Sequence, residues 1–244
     1  LSALPVASAN SLTESDEVFD ARIVSGPQTS SNVLNTAVLI SKSSKTASIT
    51  RSVSEAVFSL FKFAVSRASY VPILLLGFTL RIEQDNQTGA NLTETQLIYC
   101  VWHKNTFCPM FLHRWEQIIL FVAAGRRGEL FGAILKLLGY IPFSIANYSA
   151  RSLVREMKSG HSVCMAADGP DGPPFYPKEG TKWLATLSKT PATALDVQYS
   201  CSITLPWRWD RYQVPLPFSK AKIVYSPLFN ADSDWSLLGE SLGK

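Results

Sequence analysis

The sequence predicts an α/β domain, a mixed and partly parallel β-sheet flanked by helices, preceded by a disordered leader. Three observations carry this. Four apolar runs of strand length, at 96–102 (QLIYCVW), 117–124 (QIILFVAA), 161–167 (HSVCMAA) and 192–199 (ATALDVQY), alternate with segments of helical period. A length of 244 residues, 46% of them hydrophobic, fits one sizeable core better than two. The composition also changes near residue 48, from Ser/Thr/Ala/Asn-rich sequence to periodic apolar sequence.

Taken in order, residues 1–48 lack a periodic apolar pattern and read as the leader. The chain begins at Leu1 rather than Met, which leaves room for a targeting segment and for organellar delivery. Over 51–66, Val53, Val57, Leu60, Phe61, Ala64 and Val65 recur at helical spacing opposite Glu55, Ser59, Lys62 and Ser66, an amphipathic helix. The next run, VPILLLGFTL at 71–80, is ten residues long and set apart by SRASY, so each run is read as too short to span a bilayer. Both attachment to a membrane surface and packing on the core remain open for this stretch.

The α/β domain is expected over 49–235, with a tail at 236–244. Within it, Leu130, Ile134, Leu137 and Leu138 mark a helix stopped at Gly139, and Ser149 is placed to cap a helix that ends at Gly160. A third helix covers TKWLATLSK.

Charge narrows the function. Only 17% of residues are charged, 23 basic against 19 acidic, and no dense Lys/Arg block occurs, which argues against nucleic acid as a partner. Cys100, Cys108, Cys164 and Cys201 show no CxxC pair and no ligand spacing, so free thiols and no metal are expected.

Ligands of open α/β sheets collect at the carboxyl ends of strands. His103 lies at such an end, before a helix that Asn105 or Thr106 is placed to cap and that accepts Pro109 in its first turn. An imidazole titrates near about 6.5 and can take a proton from a substrate hydroxyl. His113 and His161 read as packing or surface residues. Asp168-Gly169-Pro170-Asp171-Gly172-Pro173-Pro174 follows the third strand as a tight turn that aims two carboxylates, with Lys178 beyond it. A cysteine hydrolase using Cys108 with His103 is a poor reading, because both would sit on or beside one short helix with no oxyanion loop.

Trp102-His103, Gly128-Glu129-Leu130, Leu138-Gly139, Ala167-Asp168-Gly169-Pro170-x-Gly172-Pro173, Lys178-x-Gly180 and Trp209-Asp210-Arg211-Tyr212, followed by Pro215, Pro217-Phe218-Ser219 and Val224-Tyr225, occur in this order. Together, over roughly residues 72–229, they resemble the lysophospholipid acyltransferase-like domains of the glycerol-3-phosphate acyltransferase superfamily. The likeness is to the small bacterial-type branch known as domain of unknown function 374. The resemblance implies a glycerol-3-phosphate acyltransferase-like fold and a membrane-associated enzyme on the cytoplasmic face. Such an enzyme moves a fatty acyl group from a thioester, acyl-CoA or acyl-carrier protein as cosubstrate, to a hydroxyl of a lysophospholipid or related lipid. His103 would be the general base. Trp102, Arg126, Arg127, Gly169, Pro170, Asp171, Gly172 and Lys178 would hold substrate, with no bound cofactor.

The chain departs from the pattern in three places. Cys108 stands where the wider superfamily has a carboxylate, Arg127 replaces the first acid of an Asp-Gly-Glu triplet, and Asp171 replaces a basic residue. Glu129 is then the first choice to orient His103, and Asp168 the second. The alternative is a catalytically inactive lipid-binding or scaffold protein that kept the fold.

Overall fold

A computed structural model describes residues 30–144 and 149–243, with side chains from Thr50 onward. The chain divides into two compact units, Leu1–Val53 and Ser54–Lys244. Of the first, the described part is helical backbone that begins at Ser30, inside the segment read as leader; residues 1–29 of that leader lie outside the described residues. The second unit is the α/β domain.

Helix α1 runs Ser30–Thr79. It joins the two apolar runs that the sequence set apart, because SRASY carries good helix formers and no glycine or proline. Pro72 lies inside the helix. The expectation of two runs too short to span is therefore corrected: Thr50–Thr79 forms one helix long and apolar enough to cross a membrane.

Its faces are arranged opposite to those of a core helix. Ser66 and Gly77 are buried, and Lys62 is half-buried against the domain, whereas Val53, Val57, Leu60, Phe61, Leu75 and Phe78 are exposed. Tyr70, Ile73, Leu74 and Leu76 do pack on the core, so the second apolar run is only partly a surface feature.

The sheet has seven strands: β1 (Arg81–Asn86), β2 (Ile98–Val101), β3 (Ile119–Val122), β4 (Ile141–Ser144), β5 (Val163–Ala166), β6 (Ala192–Tyr199) and β9 (Lys220–Tyr225). Their order is β1-β9-β6-β2-β5-β3-β4. Strands β2 to β6 run parallel; β9 returns antiparallel to β6, and β1 pairs parallel with β9. A two-stranded ribbon of β7 (Ser202–Thr204) and β8 (Gln213–Pro215) stands between β6 and β9. Buried Ile98, Cys100, Ile119 and Val163 fill one side of the sheet, and Tyr99, Val101, Leu195 and Ile223 the other, the period-two alternation of strands.

The helices α2 (Phe107–Leu112), α3 (Arg126–Leu137), α4 (Ala150–Lys158), α5 (Gly180–Ser188) and α6 (Leu238–Ser241) complete the domain. Ser149 caps α4 as expected, accepting from the Ser152 N–H, and Gly139 follows α3 with a left-handed φ of 80°. Thr106 does not cap α2: its hydroxyl donates to the His103 carbonyl. Of the four cysteines, all free, Cys100 and Cys108 are buried and Cys201 is exposed.

Helix α1 crosses one end of the sheet. Lys62 pairs with Glu129 at 3.3 Å and the Arg126 guanidinium lies 4.9 Å over Phe58, both in the first turn of α3 and so at the carboxyl end of β3. At its other end Gly77 meets the Phe111 ring, and the Arg81 N–H donates to the Ser219 carbonyl, where β1 and β9 begin. Because β9 is antiparallel to β6, that point too is the carboxyl end of the parallel strands. The helix thus spans from the β3 side to the β1 edge along the end where His103 sits.

Gly128 explains part of this geometry. A Cβ there would fall inside the carbonyl oxygen of Ala123, so only glycine lets α3 start so close to β3. At Gly132 a Cβ would meet Pro142 at an ordinary 3.4 Å. Gly128→Ala is expected to cost on the order of 1–3 kcal/mol from overpacking. Gly132→Ala is expected to be neutral or to gain up to about 1 kcal/mol from helix propensity. Denaturant unfolding of the two variants checks the contrast.

Candidate active site

The parallel strands place their loops at one end, and three of those loops meet at His103. The residue follows β2 in a single 3-10 turn (His103–Asn105) whose backbone is held from the neighbouring strand: Asp168, after β5, accepts from the His103 N–H at 3.0 Å. The ring is held from elsewhere. His103 Nδ1 lies 2.8 Å from Oδ2 of Asp210, in the loop between β7 and β8.

Asp210 is buried and fully engaged. Arg208 donates to it twice, from Nε at 2.8 Å and from an Nη at 2.7 Å, and the Tyr212 N–H donates at 3.2 Å. Burial alone would raise its carboxyl, but the Arg208 bonds and charge and the adjacent His103 outweigh it and hold the group below the usual carboxylate range. An ionised Asp210 fixes the proton on Nδ1, leaving Nε2 with its lone pair. Nε2 has no hydrogen-bond partner among the described residues, and the ring is one-third exposed. Asp168 behaves differently: burial pushes its carboxyl up, opposed by the N–H of His103 and other backbone donors.

His103 opens on a predominantly apolar cavity of about 770 Å³. Val101, Met110, Leu120, Phe131, Trp183 and Leu184 line its walls, while Gly169, Pro170 and Asp171 border it beside the histidine. A volume of this size is that of a small-molecule site. On the outer side, the Trp209 ring lies 5.4 Å from that of His103 and rests against Gly172, whose φ of 70° and lack of a Cβ permit the contact.

The structure sorts the residues singled out in the sequence. His103, Asp168, Gly169, Pro170, Asp171 and Gly172 come together. Glu129 does not reach the ring: it is 55% exposed and its carboxylate pairs with Lys62 of α1. The expectation that Glu129, or after it Asp168, orients the imidazole is corrected, since Asp210 holds that position and Asp168 holds the backbone. Trp102 is buried, donating to the Gly243 carbonyl and packing edge-on to Phe175, which removes it from any substrate surface. Arg126 covers Phe58, Arg127 is exposed on α3, and the Lys178 stem lies along Gly169 outside the cavity wall. Cys108 is buried and burial pushes its thiol up to about 12, far from a nucleophile's range.

Asp210 was singled out in the sequence within Trp209-Asp210-Arg211-Tyr212 but given no role; the signal for that role was its setting. Arg208-Trp209-Asp210 places a cation two residues before the acid, close enough to fold back on it in a turn.

No family model matches the chain, and no curated protein matches it. Among solved structures, the chain is similar to the 1-acyl-sn-glycerophosphate (LPA) acyltransferase PlsC from Thermotoga maritima. The TM-score is 0.45 and the identity 13%, over 77% of this chain and 83% of that one.

Loss of a positioned acid–base group typically costs about 10²- to 10⁴-fold. Asp210→Asn is therefore expected to lower the rate of any reaction that uses His103 by about that factor, because the amide offers Nδ1 the wrong partner. Glu129→Gln should change it less than about threefold, by the same rule for a group outside contact. Single-turnover rates of the two variants distinguish them.

Proposed function

We propose that the chain is a membrane-associated acyltransferase that moves a fatty acyl group from a thioester to a hydroxyl of a lysophospholipid or related lipid. The observation that carries this reading is the His103–Asp210 pair at the wall of a large apolar cavity. In it, His103 Nε2 takes the proton of the acceptor hydroxyl as its oxygen attacks the thioester carbonyl. Asp210 stabilises the imidazolium. The C–S bond then breaks, and the proton passes from Nε2 to the departing thiolate. The cavity accepts the acyl chain, and the Gly169–Asp171 turn faces the reacting groups. The donor, coenzyme A or a carrier protein, is a cosubstrate rather than a bound group. The rival reading, an inactive lipid-binding or scaffold protein, rested on the acids missing at Cys108 and Arg127; Asp210 supplies an acid to His103 by another route.

Purified protein given a long-chain acyl-CoA and a lysophospholipid is expected to release free coenzyme A and form the diacyl product. His103→Ala should abolish both while melting like the parent. Turnover retained in that variant, or absent from the parent with every acyl thioester supplied, returns the reading to the inactive alternative.

Membrane association is supported by the outward apolar residues of α1, Val53, Val57, Leu60, Phe61 and Leu75, each more than half exposed. The protein should float with liposomes. Leu60→Glu with Leu75→Glu, at positions 71% and 64% exposed, should reduce the floated fraction several-fold without lowering the melting temperature.

A further inference from the structure

The loop between β7 and β8, Leu205–Tyr212, carries Trp207 at 78% exposure, the most exposed large hydrophobic residue described. A ribbon tip that only had to deliver Asp210 to His103 would not need a bare indole three residues before it. Trp209, in the same loop, is spent on Gly172 and His103. Trp207 stacks on no other ring among the described residues. The loop after β5 presents Tyr176, also well exposed.

The charges of the tip are one-sided. Its only acid, Asp210, is buried and bound by Arg208, while Arg211 is exposed and forms no ion pair among the described residues. Exposed tryptophan beside arginine is the chemistry of a bilayer's interfacial zone, where the indole sits among headgroups and the cation meets lipid phosphate. The position of the tip agrees. It stands at the carboxyl end of the parallel strands, the end that α1 also crosses between Phe58 and Gly77.

We propose that the Leu205–Tyr212 tip is a second contact with an anionic lipid surface, separate from α1, in which Trp207 enters the interface and Arg211 pairs with lipid phosphate. Two contacts at the same end of the sheet set that end against the bilayer, so that the mouth beside His103 opens onto lipid rather than water. The proposal concerns a surface and stands whether or not the chain turns over acyl thioesters.

The test uses the full chain with vesicles of about three parts phosphatidylcholine to one part phosphatidylglycerol, made with brominated acyl chains that quench nearby tryptophan. Trp207→Phe is expected to remove a larger share of the bromine-quenched emission than Trp235→Phe, whose ring packs against Phe229. Arg211→Gln should weaken the quenching in these vesicles and leave it unchanged in pure phosphatidylcholine. Emission from Trp207 that stays open to aqueous acrylamide with vesicles present overturns the proposal. So does shielding from acrylamide without bromine quenching, which identifies a second copy or another protein as the occupant.

Discussion

A carboxylate with no exposed side-chain surface is costly unless several donors replace its water, and Asp210 has four: two from Arg208, one from the Tyr212 backbone and one from His103. That satisfaction ties together elements far apart in the chain. The β7–β8 ribbon can deliver Asp210 only if β6 and β9 have paired at its base. The ring it orients stands at the end of β2, whose own backbone is anchored by Asp168 after β5. The geometry of the His103–Asp210 pair is a consequence of sheet order rather than of any local motif. With Asp210 on Nδ1, the position of Cys108 is given to packing: its side chain is fully buried in the core.

The sequence announced the centre of the fold and missed its edges. Strands β2, β3, β5 and β6 are runs of apolar residues because neighbouring strands and helices cover them, and the four predicted runs contain them. The edge strand β1 reads RIEQDN, β9 reads KAKIVY, and β4 contains a proline, so none has the uniform apolar character of a buried strand. The site divides in the same way. His103 and the Asp168 turn were legible because they follow central strands. The orienting acid comes from an antiparallel excursion 107 residues further on, and no spacing rule reaches that far. Glu129 was placed at the correct end of the sheet, but from the first turn of α3 its side chain meets α1.

Helix α1 shows that an amphipathic pattern leaves its orientation open. Of the polar positions over 51–66, Lys62 and Ser66 turn toward the domain while Glu55 and Ser59 are exposed, as are the apolar Val53, Val57, Leu60 and Phe61. Amphipathicity reports that two environments differ, not which one is protein. A core helix would reverse the assignment; a lipid surface does not.

The pairing of β1 with β9 bears on the order of events during synthesis. Arg81 is registered with Lys220, so the strand that directly follows α1 has no partner until the second-to-last stretch of the domain has been made. Closing a loop of that length is among the slowest contacts in a fold of this size. An emerging chain therefore carries α1 and an unpaired β1 while the strands between them and β9 are made. The sheet edge that follows α1 is thus closed only when β9 arrives.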